Sequence, residues 1–253
     1  MILDRFNLSG KTALVTGSSR GLGAGIALAL AEAGASVAVH GSSRMPEETL
    51  QQLAALGVPT LGLVGDVGDA RACAMLVEET VAHFGAIDIL VNNAGTIRRA
   101  PAVDHSDADW ETVIAVNLSS VFRLMQHAGR HMLAKGHGKI VNIASMLTFQ
   151  GGVNVPSYAA AKGGVGQLTK AFANEWAGKG VNVNAIAPGY MATDNTAALK
   201  NDPVRSGQIL ERIPAGRWGI PEDLAGAAVF LASSASDYIH GHILAVDGGW
   251  LCR

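Results

Sequence analysis

Cysteine is scarce in this chain of 253 residues, which contains only Cys73 and Cys252. Two cysteines are too few for a disulfide framework or a thiolate metal cluster, so we predict no metal site. The N-terminal stretch MILDRFNLSGK has no basic segment followed by a long apolar run, and no later stretch approaches the roughly 18 apolar residues of a membrane span. The absence of both features predicts a cytoplasmic protein that has no membrane partner.

A surplus of positive charge is also absent. The chain has 19 lysine and arginine residues against 21 aspartate and glutamate residues, with a net charge of -2 and a sequence pI near 6.4. This balance offers no basic surface for the phosphates of a nucleic acid, so we expect no nucleic-acid partner. Internal repeats and low-complexity linkers are missing as well, which favours one domain over residues 1–253.

Short apolar, β-branched stretches alternate with helical patterns along the chain. KTALVTG, GLGAGIALALAEAG and ASVAVHG predict the first strand, helix and strand. Further helices are predicted near 47–56, 69–84, 107–134 and 222–232. About seven such strands separated by helices predict a single-domain, Rossmann-type, doubly wound parallel α/β sheet, because right-handed crossovers place helices on both faces. Residues 190–220 have weak periodicity, and we expect them to form an insertion that covers a substrate.

A glycine-rich turn follows the first predicted strand. TGSSRGLG places Gly17, Gly21 and Gly23 in a G-x-x-x-G-x-G spacing at the start of a helix. Glycines allow a sharp turn and a close approach to a pyrophosphate, whose charge is held by unpaired N–H groups and the positive end of the helix. The spacing predicts dinucleotide binding, and the alternative is a strand-to-helix turn without a ligand.

Polar residues end two later strands. Asp66 ends the third strand, where a carboxylate can accept a hydrogen bond from an adenine amino group, and NNAG at 92–95 ends the fourth. Either stretch could instead form a turn or satisfy the local backbone. Tyr158 and Lys162 lie four residues apart, which places a phenol and an ammonium on one helix face, and the alternative is a solvated polar face.

Taken in order, these stretches resemble the short-chain dehydrogenase/reductase family over essentially the whole chain. The resemblance is carried by TGxxxGxG at 16–23, NNAG at 92–95, Asn117, Ser145, Tyr158, Lys162 and PGYMAT at 188–193. Longer stretches such as ILVNNAGTIRRA, NIASMLTFQGG and AVDGGWL are similar to one branch of that family, the 2-dehydro-3-deoxy-D-gluconate 5-dehydrogenases. That similarity implies a small keto-deoxy sugar acid as the substrate.

The resemblance also implies a catalytic set, which is Asn117, Ser145, Tyr158 and Lys162. Tyr158 would donate a proton to the carbonyl oxygen as hydride arrives from a nicotinamide, and would accept that proton in alcohol oxidation. Ser145 would hydrogen-bond the same oxygen, Lys162 would hold the nicotinamide ribose, and Asn117 would support a water that relays protons. Because a phenol has an ordinary pKa of about 10, we expect the charge of Lys162 to lower the pKa of Tyr158 by roughly 3 units.

Candidate cofactor-binding residues lie at the ends of several strands and on the catalytic helix. They are Gly17, Ser19, Arg20, Gly21, Leu22, Gly23, Ser42, Ser43, Arg44, Asp66, Val67, Asn93, Ala94, Gly95, Tyr158, Lys162, Pro188, Gly189 and Thr193. The second strand ends in HGSSR without an acidic residue to bind a ribose 2′-hydroxyl and exclude a phosphate. Arg20 and Arg44 could pair with that phosphate, which favours NADP(H), with NAD(H) as the alternative.

Candidate substrate-binding residues follow the fourth and fifth strands. They are Arg98, Arg99, Ser145, Thr148, Gln150 and Tyr158. We expect Arg99 or its neighbour Arg98 to bind the substrate carboxylate through two parallel hydrogen bonds, unless both arginines face solvent or an interface. Thr148 and Gln150 are candidate readers of hydroxyl groups, and Arg217 is a second candidate anion site.

Other functions share some of these features. A 3-oxoacyl-thioester reductase or another sugar or aldonate dehydrogenase has the same general motifs, although a balanced charge offers an acyl carrier no basic docking face. A nucleotide-sensing binding module would keep the fold without the chemistry, and the complete catalytic set argues against it. The resemblance implies a homotetramer, for which VFLASS and HILAVDGGWL could supply an interface.

Overall fold

One parallel sheet organises the molecule. The computed structural model describes residues 1–253, with the exception of the side chain at position 195. Its strands are β1 (Thr12–Val15), β2 (Ser36–Gly41), β3 (Thr60–Val64), β4 (Ile89–Asn92), β5 (Gly138–Ile143), β6 (Val181–Pro188) and β7 (Ile243–Val246). They pair in parallel in the order β3-β2-β1-β4-β5-β6-β7, which confirms the predicted doubly wound sheet.

Helices connect the strands and cover both faces. They are α1 (Gly21–Glu32), α2 (Glu47–Ala55), α3 (Ala70–Phe84), α4 (Asp107–Ile114), α5 (Ser120–Lys135), α6 (Pro156–Trp176), α7 (Ala197–Lys200), α8 (Pro203–Arg212) and α9 (Ala225–Ala232). The helix predicted over 107–134 is α4 and α5 joined by a π-helical turn at Ala115–Ser119. Among the described helices, none has the length and apolar character needed to cross a bilayer.

The central strands β1, β4, β5 and β6 are buried because their side chains alternate between two apolar layers. Leu14 and Leu90 belong to one buried cluster, together with residues of α3, α5 and α6. Val15 and Val91 belong to the other cluster, together with residues of α1 and α9. Burial on both sides explains why these strands are continuous apolar runs, as expected for a parallel sheet between two helical layers.

The strand order also fixes where a ligand can bind. β1 lies between β2 and β4, so the chain leaves β1 in one direction and later returns to its other side. In such sheets the crevice lies beyond the carboxyl ends of the strands, at the point where the order reverses. The glycine turn after β1 and the NNAG stretch after β4 therefore face each other at this edge.

The segment predicted as an insertion, 190–220, contains α7 and α8 and packs as a small third core. Ile209, Ile213 and Trp218 are buried there together with Met146 and Trp250. The base of the segment is closed where Met191 pairs with Gly219. Because Met146 follows β5, this packing places the segment beside the carboxyl ends of the central strands.

Two helical glycines give a matched test of packing. An added Cβ at Gly129 in α5 would lie 2.3 Å from Cη2 of Trp176, whereas one at Gly163 in α6 would meet no described atom within 4 Å. We expect Gly129→Ala to lower the free energy of unfolding by about 1–3 kcal/mol through overpacking. Gly163→Ala should raise it by roughly 0.5–1 kcal/mol, because alanine is the better helix former. Urea unfolding measures both, and equal effects would contradict the packing described here.

Candidate active site

A cavity of about 800 Å³ lies at the carboxyl ends of the strands. Of the predicted cofactor-binding residues, it is lined by Gly17, Ser19, Arg20, Gly21, Leu22, Gly23, Ser42, Ser43, Asp66, Val67, Asn93, Ala94, Gly95, Tyr158, Lys162, Pro188, Gly189 and Thr193. Arg98 and Ser145 line it as well. Arg44, Arg99, Thr148 and Gln150 are not in this lining. Arg44 lies past the end of β2, where its carbonyl oxygen packs over Gly41.

The glycine turn after β1 is shaped by steric contact. Gly17 and Gly21 have φ angles of 62° and 58°, in the left-handed region that favours glycine. A Cβ at Gly17 would lie 2.7 Å from the Cα of Ala94, and one at Gly23 would lie 2.3 Å from the carbonyl oxygen of Gly17. The first N–H groups of α1 have no acceptor within the helix, so the turn presents an anion-binding helix start to the cavity.

Asn93 holds this turn in place. Its side-chain amide donates to the carbonyl oxygens of Thr16 and Gly17, each at 2.9 Å. Thr16 Oγ1 in turn accepts from the backbone N–H groups of Asn93 and Ala94, each at 3.1 Å. The NNAG stretch therefore fixes the distance between β1 and β4, and the amide of Asn93 is used inside the protein.

The cavity wall near β2 and β3 has no acidic residue at the end of β2. Ser42 and Ser43 line the wall there, and Arg20 lies opposite. Arg20 Nε is 3.0 Å from Asp194 Oδ2, and both side chains are largely exposed. One oxygen of Asp66 accepts from the Gly68 N–H at 2.9 Å, which makes this aspartate a turn former as well as a cavity residue.

Ser145, Tyr158 and Lys162 meet on the opposite wall. Ser145 follows β5, its Oγ accepts from the Leu147 N–H at 3.1 Å, and its side chain hydrogen-bonds Tyr158. Lys162 lies one turn after Tyr158 on α6, and its Nζ donates to the Ile143 carbonyl oxygen at 2.5 Å. The Lys162 Nζ is 5.7 Å from the centroid of the Tyr158 ring. The three predicted residues thus share one corner of the cavity.

Asn117 lies behind this corner, in the π-helical turn between α4 and α5. Its Oδ1 accepts from the Thr96 N–H and its Nδ2 donates to the Thr96 carbonyl oxygen, both at 2.8 Å. The side chain is fully buried. Both polar atoms of the amide are therefore used to fix the loop that follows β4.

The pKa of Tyr158 differs from the expectation. Burial raises it, and this effect exceeds the lowering by the Ser145 hydrogen bond and by the charge of Arg99. The predicted lowering of the pKa of Tyr158 was wrong for this structure, because burial of the phenol outweighs the effects that lower it. Burial also lowers the pKa of Lys162 to about 8. The phenol is consequently protonated near neutral pH.

The candidate substrate residues separate into two groups. Arg98 is held by Asp109, with 3.2 Å between Nε and Oδ1, and also donates to Thr96 Oγ1 at 3.1 Å. Arg99 carries the charge that acts on Tyr158. Thr148 has a structural role instead of the predicted one, because its hydroxyl donates to the Lys162 carbonyl oxygen at 2.9 Å and accepts from the Ser145 N–H at 3.3 Å.

Arg217 is not available as the predicted second anion site. Its guanidinium makes two hydrogen bonds to the Asp223 carboxylate, at 2.6 and 2.7 Å. This pair, with the Ile220 N–H, lowers the pKa of Asp223 to about 2, so the arginine is already neutralised at neutral pH. Both residues line a separate cavity of about 140 Å³.

Among the lining residues that the sequence analysis missed, two are titratable, His40 and Asp194. His40 lies near the end of β2 and lines the cavity wall, and Asp194 reaches Arg20 from the segment after β6. A single histidine in an apolar strand has no characteristic spacing, and an ion pair between residues 20 and 194 depends on the tertiary fold. Neither residue therefore has a local pattern by which it could have been found.

Comparison with known proteins adds sequence similarity to this geometry. A family model described as enoyl-(acyl carrier protein) reductase matches residues 17–251. The 2-dehydro-3-deoxy-D-gluconate 5-dehydrogenase of Dickeya dadantii (strain 3937) is 56% identical over 254 residues, which cover 100% of both chains.

Solved structures agree with these matches. A structure from Agrobacterium tumefaciens with bound NADP is 55% identical, with a TM-score of 0.93 and coverage of 99% of this chain and 100% of that one. A gluconate 5-dehydrogenase from Burkholderia cenocepacia J2315, in complex with NADP and tartrate, is 43% identical with a TM-score of 0.95 and coverage of 100% of both chains.

The buried ammonium generates a stability prediction. The pKa of Lys162 falls from 10.5 to about 8 on folding, which corresponds to about 3 kcal/mol of destabilisation at pH 7. Lys162→Met removes the charge, so we expect the free energy of unfolding at pH 7 to rise by up to about 3 kcal/mol. The rise in the free energy of unfolding is reduced because the substitution also removes the hydrogen-bond donor of the Ile143 carbonyl oxygen.

The sign of the pH dependence follows from the same values. Between about pH 8 and pH 10.5 the unfolded chain binds a proton at Lys162 that the folded chain has released, so wild-type stability rises with pH. The advantage of Lys162→Met should therefore shrink over this range. Urea unfolding of both proteins at neutral pH and near the top of this window measures the difference. A variant less stable than the wild type at both values would contradict the account.

Proposed function

The chain belongs to the short-chain dehydrogenase/reductase family, and from this premise we propose that it interconverts a ketone and a secondary alcohol on a keto-deoxy sugar acid of the 2-dehydro-3-deoxy-D-gluconate type. As a family member it is an NAD(P)-dependent oxidoreductase that acts on CH–OH groups. The observation that carries the proposal is the corner formed by Ser145, Tyr158 and Lys162 in the large cavity, in a chain so similar to such dehydrogenases along its full length.

The cavity fits a nicotinamide dinucleotide. The cradle at Gly17 and Gly23 excludes any side chain, and the start of α1 offers N–H groups to a pyrophosphate. Such a cofactor, when bound, supplies or accepts the hydride. Lys162 has one donor on the Ile143 carbonyl oxygen, and its remaining donors would hold ribose hydroxyl groups.

Tyr158 is the proposed proton donor in ketone reduction. Its raised pKa keeps the hydroxyl protonated near neutral pH, and its hydrogen bond with Ser145 orients that hydroxyl. Both hydroxyl groups would then contact the carbonyl oxygen of the substrate, and the proton would leave Tyr158 as the negative charge develops. In alcohol oxidation the same oxygen would accept the proton, which requires the positive charge of Lys162 nearby.

Asn117 contributes by fixing the loop after β4. Each polar atom of its amide makes one hydrogen bond to Thr96 and keeps one further donor or lone pair, so Asn117 would also support a water that relays protons to Lys162. Segment 190–220 would cover the substrate, since it packs on Met146 directly after Ser145.

NADP(H) is the proposed cofactor. Ser42, Ser43 and Arg20 line the cavity beyond β2, where an acidic residue would otherwise repel a 2′-phosphate. The relatives from Agrobacterium tumefaciens and Burkholderia cenocepacia were crystallised with NADP. Arg20 is held by an exposed pair with Asp194, and exposed pairs are weak, so a phosphate can displace the aspartate.

Arg99 is the proposed carboxylate-binding residue. Its charge acts to lower the pKa of Tyr158, which supports a guanidinium within electrostatic range of the reacting carbonyl group. Arg98 is bound to Asp109 and Thr96, so it supports the loop.

We further propose a cytoplasmic homotetramer. The edge strand β7 leaves its apolar residues only partly buried, and Trp110 and Phe122 are exposed large apolar side chains on α4 and α5. Partly exposed apolar strands and helices of this kind are suited to contacts between identical chains.

Tyr158→Phe tests the proposed reaction. Removing the hydroxyl should lower kcat for a keto-deoxy sugar acid by about 10²–10⁴-fold, while the Kd for NADPH stays near the wild-type value. Reduced-nicotinamide absorbance measures turnover, and Tyr238→Phe is the control because that side chain is fully exposed. Near-normal turnover in Tyr158→Phe would refute the assignment. Wild-type activity on a 3-oxoacyl thioester and none on the sugar acid would favour the alternative of a 3-oxoacyl-thioester reductase.

Separate replacement of Arg99 and Arg98 by Met tests how the substrate is held. We expect Arg99→Met to lose about 2 kcal/mol or more in kcat/KM for a keto-deoxy sugar acid, roughly 30-fold, and much less for an uncharged ketone. Arg98→Met should affect both substrates to a similar, smaller extent, because it loosens the loop. Equal losses on both substrates in Arg99→Met would mean that the carboxylate is bound elsewhere.

A further inference from the structure

His40 is buried at the junction of three cavity-forming segments. The residue is 1% exposed and is the second-to-last residue of β2, beside the glycine turn. Its Nδ1 accepts from the Gly17 N–H at 2.9 Å, and its Nε2 lies 2.7 Å from the Gly65 carbonyl oxygen. The ring therefore connects the turn after β1 to the loop after β3.

The two partners fix which nitrogen of His40 carries the proton. A backbone N–H can only donate, so Nδ1 must be the acceptor. A carbonyl oxygen can only accept, so Nε2 must carry the hydrogen. The ring is neutral in this arrangement, and a second proton on Nδ1 would face the Gly17 N–H.

The backbone around His40 depends on the same arrangement. The His40 N–H donates to Ser18 Oγ at 2.8 Å, and the Ser18 N–H donates to the His40 carbonyl oxygen at 2.9 Å. Thr49 Oγ1 donates to the Ser18 carbonyl oxygen at 2.9 Å. Gly17 and Ser18, the first residues of the turn, are thus hydrogen-bonded to His40 before α1 begins.

We propose that His40, as the neutral Nε2–H tautomer, is a positioning residue that sets the shape of the cofactor-binding turn through the Gly17 N–H. The proposal rests on the proposed function, because the turn is taken to hold a dinucleotide. Since the Gly17 N–H is used by His40, the phosphates are left to the N–H groups at the start of α1. Gaining a proton would remove the acceptor and release the turn.

The charges near the ring are consistent with a neutral histidine. Burial lowers the pKa of His40, and this outweighs the raising effects of the Gly65 hydrogen bond and of Asp66. The neighbouring strands β1 and β3 have the sequences TALV and TLGLV and carry no titratable side chain.

Two substitutions separate the two hydrogen bonds of the ring. In His40→Asn the amide oxygen can occupy the place of Nδ1 and accept from Gly17, whereas in His40→Gln the amide nitrogen can occupy the place of Nε2 and donate to Gly65. We expect His40→Asn to bind NADPH within about threefold of the wild type and His40→Gln to bind about tenfold more weakly or worse, because a buried N–H then lacks its acceptor. In His40→Gln the effect should appear in the cofactor KM and not in kcat at saturation.

A pH series on cofactor-free protein provides a second readout if His40→Gln does not fold. In the unfolded chain the histidine has a pKa of 6.5 and binds a proton below that pH, whereas the folded ring stays neutral because its pKa is lower. The contribution of the neutral ring to the free energy of unfolding is therefore fully present above pH 6.5 and is lost as the pH falls. Relative to His40→Asn, the unfolding equilibrium constant of the wild type should rise by up to about tenfold for each pH unit below 6.5.

The outcomes are distinguishable. Wild-type protein that binds neither NADPH nor NADH would refute the proposed function itself. Wild-type binding together with a loss of NADPH affinity in His40→Asn that equals the loss in His40→Gln would overturn the role assigned to Nδ1. Identical pH profiles of wild type and His40→Asn would show that the ring is not held neutral, which also overturns it.

Discussion

An ammonium buried without a carboxylate partner is the constraint on which the rest of this structure depends. Lys162 is 4% exposed, and among the described residues no acidic side chain shifts its pKa. An isolated buried charge is strongly disfavoured unless hydrogen bonds compensate it. The structure provides one such bond, to the Ile143 carbonyl oxygen. Lys162 also lines the cavity of about 800 Å³, so the remaining donors of the ammonium are available to the proposed dinucleotide, which would supply the hydrogen bonds that the protein does not.

The surrounding fold is arranged to hold this unfavourable group in place. β5 is buried along its whole length and ends at Ile143, the residue that supplies the acceptor. The Thr148 hydroxyl bonds the Lys162 carbonyl oxygen, which ties α6 to the turn carrying Ser145. Farther along α6, Trp176 packs on Gly129 of α5. Apolar burial in the two layers of the sheet offsets the cost of the charge, which is the usual balance at a functional site.

The sequence predicted the parts of this arrangement that local patterns encode. The alternation of apolar strands and helices predicted a parallel sheet, in which the carboxyl ends of the strands share one edge. The glycine spacing predicted a sharp turn after β1 at that edge. The four-residue spacing and the family resemblance predicted that Tyr158 and Lys162 lie together, and both line the same cavity.

Properties that depend on three-dimensional neighbours were not predictable in this way. The direction of the Tyr158 pKa shift depends on burial, and a spacing of four residues says nothing about burial. The ion pairs of Arg20, Arg98 and Arg217 determine how each arginine is held before a ligand binds. The pairs of Arg20 with Asp194 and of Arg98 with Asp109 form only when separate elements fold together. The same reason explains why Thr148 was predicted to face the substrate and instead bonds the backbone of α6.

The most direct test of this account is the pKa of Lys162 itself. Nuclear magnetic resonance of the protein labelled with ¹³C at the lysine Cε would follow its titration, with Lys162→Met identifying the resonance. The account predicts a pKa near 8 without cofactor. It predicts a rise on binding NADPH, because ribose hydroxyl groups and phosphate charge favour the ammonium. A pKa near the ordinary 10.5 in the cofactor-free protein, unchanged by NADPH, would contradict the claim that a buried, uncompensated charge defines this site.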